Sequence, residues 1–115
     1  MKPNRQEYLF YISLFRDFLS IKNHIEARKC AYQAIRNTDE KDELLEICTL
    51  CIESATEHRR LWFEAIYAYQ KLTDIYGTNE FENIRATLLE GKKQIIDIAS
   101  AVSFDLDIAI SFSNA

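Results

Sequence analysis

Residues 26–35 read EARKCAYQAI, and residues 64–72 read EAIYAYQKL. The two segments share a Glu-Ala pair at an offset of 38 residues and an Ala-Tyr-Gln triplet at an offset of 37 residues. Each segment follows another apolar stretch with helical spacing, so the chain is predicted to contain two similar helical hairpins. Stacked hairpins of this kind mostly act as binding surfaces for other proteins.

The composition favours a single helical domain. The chain has 115 residues, of which 48% are apolar, but it contains only two glycines and one proline. A sheet protein of this size needs more turn residues, whereas this apolar content is enough for a packed core. The length therefore predicts one domain that covers residues 1–115.

The charge and the cysteines limit the classes of partner. The net charge of −4 is unfavourable for nucleic acid, because phosphates would repel the chain. No apolar run reaches the roughly 18 residues that would cross a bilayer, and the N-terminus lacks the apolar core of a signal peptide. Three cysteines, an odd number, are typical of a reducing compartment. We therefore expect a cytoplasmic protein that binds neither nucleic acid nor membranes, and we expect Arg28, Lys29 and Arg36 to be solvated.

Three asparagines predict helix starts. Asn4, Asn23 and Asn79 are each followed three residues later by a glutamate. An Asn side chain at the N-cap accepts a hydrogen bond from the first turn, and a Glu at this spacing can bond back to the N–H of the cap.

The apolar periodicity predicts five helices. They form a hairpin over residues 5–37, a hairpin over residues 42–76 and a capping helix over residues 79–102. The third helix, from about 42 to 57, is apolar on most sides and is expected to be central. Gly77 is expected to end the fourth helix in a left-handed conformation, and Gly91 to mark a bend or a close helix contact.

Bulky side chains of the first helix are expected to fill the small-residue face of the second helix. The bulky stripe consists of Tyr8, Tyr11, Ile12, Phe15, Phe18 and Leu19. The small face consists of Ala27, Cys30, Ala31, Ala34 and Ile35.

The C-terminal tail, residues 103–115, has two interpretations. Apolar residues alternate strictly from Phe104 to Phe112, a pattern typical of a strand. The helix could also continue, with Phe104, Ile108 and Phe112 on one face. Because a lone strand cannot satisfy its backbone within a helical domain, a short extended tail would need a partner, such as a second copy in a homo-oligomer.

Over residues 8–77 the chain resembles a tetratricopeptide-type helical repeat protein, whose unit is a pair of antiparallel helices. With the first unit anchored on Ala27, the first-helix Trp of the family falls on Tyr11 and its Leu on Leu14. The later Tyr of the family falls on Phe18, and its second small position in the second helix falls on Ala34.

The chain also departs from the family pattern. The Gly-type position falls on Phe15 and the terminal Pro position on Asp39, and the offset of 37 to 38 residues exceeds the family unit. The resemblance implies a concave groove that receives a peptide or helix from a partner, with the fifth helix capping the stack.

Aromatic residues are the candidate binding residues, because Tyr and Trp are enriched at binding surfaces. The candidates are Tyr8, Tyr11, Trp62, Phe63, Tyr67 and Tyr69. A tyrosine stripe at helical spacing is more often core, but Tyr67 lies off the predicted inner face. We expect Tyr67, Tyr8 and Phe63 to be exposed.

No catalytic, metal or cofactor site is predicted. Cys48 and Cys51 form one C-x-x-C pair, whereas a structural zinc site needs four ligands. Both thiols fit the apolar pattern of the third helix and are expected to be buried. His24 and His58 lack neighbours that would form a relay.

Three functional hypotheses follow. The preferred one is a non-catalytic protein–protein interaction module, an adaptor or a secretion-type chaperone, that binds a helical or extended peptide in an apolar, aromatic groove. The alternative is a self-associating structural or regulatory helical bundle. The third is an enzyme that uses Cys30, Cys48 or Cys51.

Overall fold

A computed structural model of the chain describes residues 2–96, and every regular element in this range is helical. The elements are α1 (Arg5–Ser20), α2 (His24–Arg36), α3 (Lys41–Ser54), α4 (Leu61–Tyr76) and α5 (Glu82–Ile95), with a short 3-10 turn at Asn79–Phe81. The all-α prediction is confirmed. The predicted extension of the fifth helix to residue 102 and the alternating tail lie outside the described residues.

The helices form two stacked hairpins followed by α5. α1 packs against α2, α3 packs against α4, and the hairpins meet mainly through α2 and α4. The prediction that the third helix is central was wrong, because α4 is the helix that contacts α2, α3 and α5. Small residues such as Ala65 and Ala68 let neighbours approach α4 closely, whereas Leu45 and Ile52 of α3 remain only partly buried.

The packing of α1 on α2 agrees with the sequence pattern. Tyr8, Ile12 and Phe15 of α1 are buried, and Ala27 and Ala34 of α2 are fully buried. Small side chains on α2 leave room for the rings of α1, so the two helix axes can approach closely.

The predicted caps are confirmed at two of three sites. The Asn4 side chain accepts from the backbone N–H of Glu7 at 3.1 Å, and the Asn23 side chain accepts from that of Glu26 at 3.3 Å. The reciprocal glutamate bond is replaced at Asn4, whose own N–H donates to the side chain of Asn37 at 3.2 Å. The cap at Asn79 was wrong: this residue opens the 3-10 turn, and no side-chain bond caps either that turn or α5.

The two glycines have different roles. Gly77 ends α4 with φ 84° and ψ 176°, an extended conformation with positive φ that only glycine adopts readily, rather than the expected left-handed helical one. Gly91 makes the expected close helix contact, because a Cβ atom there would lie 2.2 Å from the ring of Trp62.

Several contacts between the hairpins join residues 35 to 38 positions apart, although the ion pairs Arg16–Glu46 and Lys71–Asp39 join residues 30 and 32 positions apart. The clearest examples are Arg5–Glu43, Lys22–Glu57, Arg28–Glu64, Lys71 with the carbonyl of Ile35, and Tyr76 with the carbonyl of Asp39. A similar pair, Lys41–Glu80, joins the second hairpin to the 3-10 turn that follows it. These partners are separated by 35 to 39 residues. The spacing brackets the sequence offset of 37 to 38, so equivalent positions of successive units lie side by side.

Candidate functional site

A groove of about 510 Å³ runs between α1 and α2, and we call it the α1–α2 groove. Its apolar lining consists of Tyr11, Leu14, Phe18, Cys30 and Tyr32. Its polar rim consists of Glu26, Lys29 and Gln33. A concave apolar surface with a few polar groups around it is the usual form of a binding site.

The width of the apolar stripe on α1 explains why the groove exists. Tyr8, Ile12 and Phe15 lie at the centre of the contact with the core and are buried. Tyr11, Leu14 and Phe18 are displaced around the same helix and are only partly buried. Because the small side chains of α2 cannot cover the whole stripe, its edge stays open to a further molecule.

Aromatic rings extend the groove on both sides. Phe10 is 60% exposed, and its ring meets that of Tyr11 edge to face with centroids 5.1 Å apart. Tyr32 stacks on Tyr67 of α4 with centroids 5.2 Å apart, and the guanidinium of Arg36 lies 5.5 Å from the Tyr32 ring centre. Rigid rings next to Arg are typical of the residues that contribute most to binding at interfaces.

A smaller groove of about 200 Å³ lies between α4 and α5, and we call it the α4–α5 groove. It is lined by Ile66, Tyr69, Gln70, Arg85, Leu88, Leu89 and Lys92. The Tyr69 hydroxyl oxygen is buried and has no hydrogen-bond partner within residues 2–96. Burial also raises the pKa of Tyr69.

The structure divides the six candidate residues between core and surface. The expectation that Tyr8 and Phe63 are exposed was wrong, because they are 3% and 0% exposed. Phe63 packs beneath the guanidinium of Arg28, which lies 5.7 Å from its ring centre. Trp62 is also buried and covers Gly91, so its ring holds α5 against α4.

The remaining candidates lie near the two grooves. Tyr11 lines the α1–α2 groove, and Tyr67 adjoins that groove through Tyr32. Tyr67, which we expected to be exposed, is half-buried. Tyr69 lines the α4–α5 groove instead, so the structure does not bring the candidates into one site.

Sequence reasoning missed Phe10 and the groove residue Tyr32. Phe10 falls outside the predicted stripe of α1, and a large apolar residue off the stripe of an amphipathic helix has to face outward. This signal was available, but exposure alone does not show which exposed ring adjoins a groove. Which ring adjoins the groove depends on α2, because α2 contributes Tyr32 and Cys30 to the lining.

A buried ion pair joins the hairpins. Arg28 Nε donates to Glu64 Oε1 at 2.6 Å, and Nη2 donates to Oε2 at 3.1 Å. Glu64 is fully buried and Arg28 is 6% exposed, so the expectation that Arg28 is solvated was wrong. The sequence did indicate such a pair, because Glu64 lies inside the apolar run from Leu61 to Ile66 and a buried carboxylate needs a positively charged partner.

The three cysteines are buried, as predicted. Burial raises the pKa of Cys48 to about 12 and that of Cys51 well above the ordinary value, and it raises the pKa of Cys30. These thiols are therefore held in the protonated form, which is a weak nucleophile. In the described part of the chain, no group of three or more His, Cys, Asp or Glu residues could hold a metal ion.

Comparisons with protein-family models, with curated proteins and with solved structures give no match. Among residues 2–96, no helix combines the length and the apolar character needed to cross a membrane. The α1–α2 groove and the α4–α5 groove, with the side chains that line them, are the candidate sites within residues 2–96.

Proposed function

We propose that the protein is a non-catalytic interaction module, an adaptor or a secretion-type chaperone, that binds a helical or extended peptide in the α1–α2 groove. The single observation that carries this proposal is the groove itself, with its partly exposed side chains Tyr11, Leu14 and Tyr32. Its three buried thiols are compatible with a reducing compartment such as the cytoplasm.

The chemistry of the groove supports a peptide as the ligand. Leu14 and Phe18 offer apolar contact area, while Glu26, Lys29 and Gln33 can orient polar groups at the edge. An apolar centre with a polar rim is the arrangement by which protein interfaces exclude water from a few strong contacts. Mixed charge at the rim selects for neither a strongly acidic nor a strongly basic peptide.

We further propose that the two hairpins are degenerate tetratricopeptide-type units. The contacts at 35 to 39 residues support this interpretation, because they place equivalent helices of successive units next to each other. In repeat proteins such stacking builds an extended surface for a partner.

The experiment uses peptides selected on the wild-type chain from a random-sequence display library. Their Kd values are then measured for wild type, for Leu14→Lys in the groove, and for Ser13→Lys as the matched control on the exposed side of the same helix. We expect Leu14→Lys to weaken binding at least tenfold, about 1.4 kcal/mol, and Ser13→Lys to leave it unchanged.

Cys30 supplies a second readout, because it lines the groove whereas Cys48 does not. A bound peptide should slow the alkylation of Cys30 more than that of Cys48, because it covers Cys30 directly, whereas the fully buried Cys48 is protected only through the stability of the fold. Peptide binding would lie elsewhere on the molecule if the two Lys variants had equal affinities, or if the peptide did not change the alkylation rate of Cys30. Circular dichroism spectra of all variants check that each one is folded.

Self-association is the second candidate function, and it is favoured by Leu9 and Phe10, which are exposed side by side on α1. A bundle that assembles through this surface should increase in mass with concentration during sedimentation. The variant Phe10→Glu should then remain a monomer. A wild-type chain that stays monomeric at all concentrations would exclude this function.

A further inference from the structure

The α4–α5 groove lies where the stack of hairpins is incomplete within residues 2–96. In each of the two hairpins, the apolar face of the first helix packs against the second helix of the same hairpin. α5 occupies the place that the first helix of a third hairpin would take, because Glu80, in the 3-10 turn just before α5, pairs with Lys41 at the start of α3. Leu89 and Ile96 nevertheless remain exposed, and Leu88 lines the groove with Ile66.

We propose that residues 103–112 of the same chain cover the α4–α5 groove. The chain continues from residue 96 to residue 115, and Lys92 of the groove lies one helical turn before Ile96. The eight residues 97–104 can span up to about 26 Å. The groove extends along α5 from Lys92 back to Arg85, which is about 10 Å of helix, so the segment can reach all of it.

The composition of the segment complements the groove. Residues 97–115 contain three aspartates and no lysine or arginine, whereas Arg85 and Lys92 make the edge of the groove basic. Asp105 and Asp107 alternate with apolar side chains, and the floor of the groove is apolar. Opposite charges at the rim favour this pairing over an arbitrary apolar segment.

The repeat also indicates a register. Tyr32 and Tyr69 occupy the same position in the repeated Ala-Tyr-Gln triplet. Tyr32 stacks on Tyr67, which lies 35 residues later in the sequence. The same step from Tyr69 reaches Phe104. We therefore assign to Phe104 a contact with the ring of Tyr69. In this register Ser103 and Asp105 would lie near the buried Tyr69 hydroxyl, which lacks a hydrogen-bond partner within residues 2–96.

The test is NMR spectroscopy of the full chain. We expect nuclear Overhauser effects from the Phe104 ring to the methyl groups of Leu88 and Leu89, within one molecule. A mixture of isotope-labelled and unlabelled chains identifies effects that arise between molecules. Effects only between molecules would assign the groove to a second copy, and the absence of any effect would leave it to another partner; either result overturns the proposal.

Amide hydrogen exchange provides a matched pair of variants. Phe104→Ala should speed the exchange of α5 amides around Leu88 at least tenfold, whereas Ser113→Ala should leave it unchanged. Equal exchange in both variants also overturns the proposal. Peptide binding in the α1–α2 groove is measured separately, so failure of either proposal leaves the other standing.

Discussion

Helix α4 packs against α2 on one side and against α5 on another, and different interactions hold the two junctions together. Between α2 and α4, a bidentate ion pair is enclosed by apolar side chains. Between α4 and α5, the ring of Trp62 covers the backbone at Gly91, and the indole N–H lies 3.4 Å from the side-chain oxygen of Gln94. The first junction depends on charge and the second on shape.

This difference determines which kind of substitution destabilises each junction. A buried charge pair fixes the partner of each group, because either charge alone is costly in an apolar interior. A ring packed on glycine fixes the distance between two helices, because any side chain at that glycine would overlap the ring. A substitution at either junction should therefore destabilise the fold, but for a different reason in each case. Different second substitutions should then restore the lost stability.

The largest effect is expected from Arg28→Met. This change removes the bidentate guanidinium while the Glu64 carboxylate stays buried, and breaking a buried pair in this way costs about 3–5 kcal/mol. The free energy of unfolding from urea denaturation measures the loss. Lys29→Met is the matched control, because Lys29 is exposed on the same helix and should change the stability little.

The double variant Arg28→Met, Glu64→Met sharpens the interpretation. If the cost arises from the buried charge, removal of both charges should recover most of the lost stability. A double variant as unstable as Arg28→Met alone would instead assign the cost to lost packing between the two helices.

A smaller loss is expected from Gly91→Ala. Alanine favours a helix interior by about 1 kcal/mol over glycine, but its Cβ would lie 2.2 Å from the Trp62 ring. Overpacking of this kind costs about 1–3 kcal/mol, so we expect a net loss of stability. Trp62 is the only tryptophan of the chain, and a shift in its fluorescence should report the displaced ring.

The sign of this effect should reverse when the ring is removed. In a Trp62→Leu background the alanine meets no indole, and Gly91→Ala should stabilise the helix according to propensity. Thermal unfolding followed by circular dichroism completes the double-mutant cycle. The same loss in both backgrounds would mean that Gly91 is required for a reason other than the contact with Trp62.

The smallest effect concerns pH at the edge of the α2–α4 junction. His24 and His58 stack with ring centroids 5.3 Å apart, and His24 Nε2 lies 3.5 Å from a carboxylate oxygen of Glu57. Burial lowers the pKa of His58, and the nearby charges of His24, Arg28 and Arg60 lower it further. Folding therefore favours the neutral form of His58.

The unfolded chain binds this proton at a higher pH than the folded chain does. The contribution of His58 to stability is present above about pH 6.5, its ordinary pKa, and is lost as the pH falls towards the lowered folded value. Urea midpoints at pH 7.5 and 5.5 should differ more for wild type than for His58→Gln. The same pH difference in both proteins would exclude His58 as its origin.

Helix positions and the α1–α2 contact could be predicted from the sequence because they depend on local patterns. The caps at Asn4 and Asn23 and the small face of α2 need only the spacing of residues along one helix. Gly91 was expected to mark a bend or a close helix contact, because a glycine inside a helix costs stability unless it has a packing reason, and the structure shows the close contact.

The candidate site was less predictable, because exposure depends on which neighbour covers which side of a broad apolar stripe. Tyr8 and Tyr11 both belong to the stripe of α1, yet the first is buried and the second lines a groove. Arg28 looked like a surface charge because its partner lies 36 residues away on another helix. The Asn79 cap failed because a 3-10 turn delays α5 to Glu82.

The short sequence separation between the stacked hairpins has a consequence for folding kinetics. Contacts such as Lys22–Glu57 and Arg28–Glu64 close loops of only 35 and 36 residues. Most packing nevertheless joins the two helices of one hairpin, and local contacts of that kind are associated with rapid folding. Each hairpin can also add to its predecessor, as in other stacks of helical units. Within residues 2–96, α5 packs mainly against α4, and less extensively than the two helices of either hairpin pack on each other. Transient opening should begin at α5, and proteases should cut there before they reach α2.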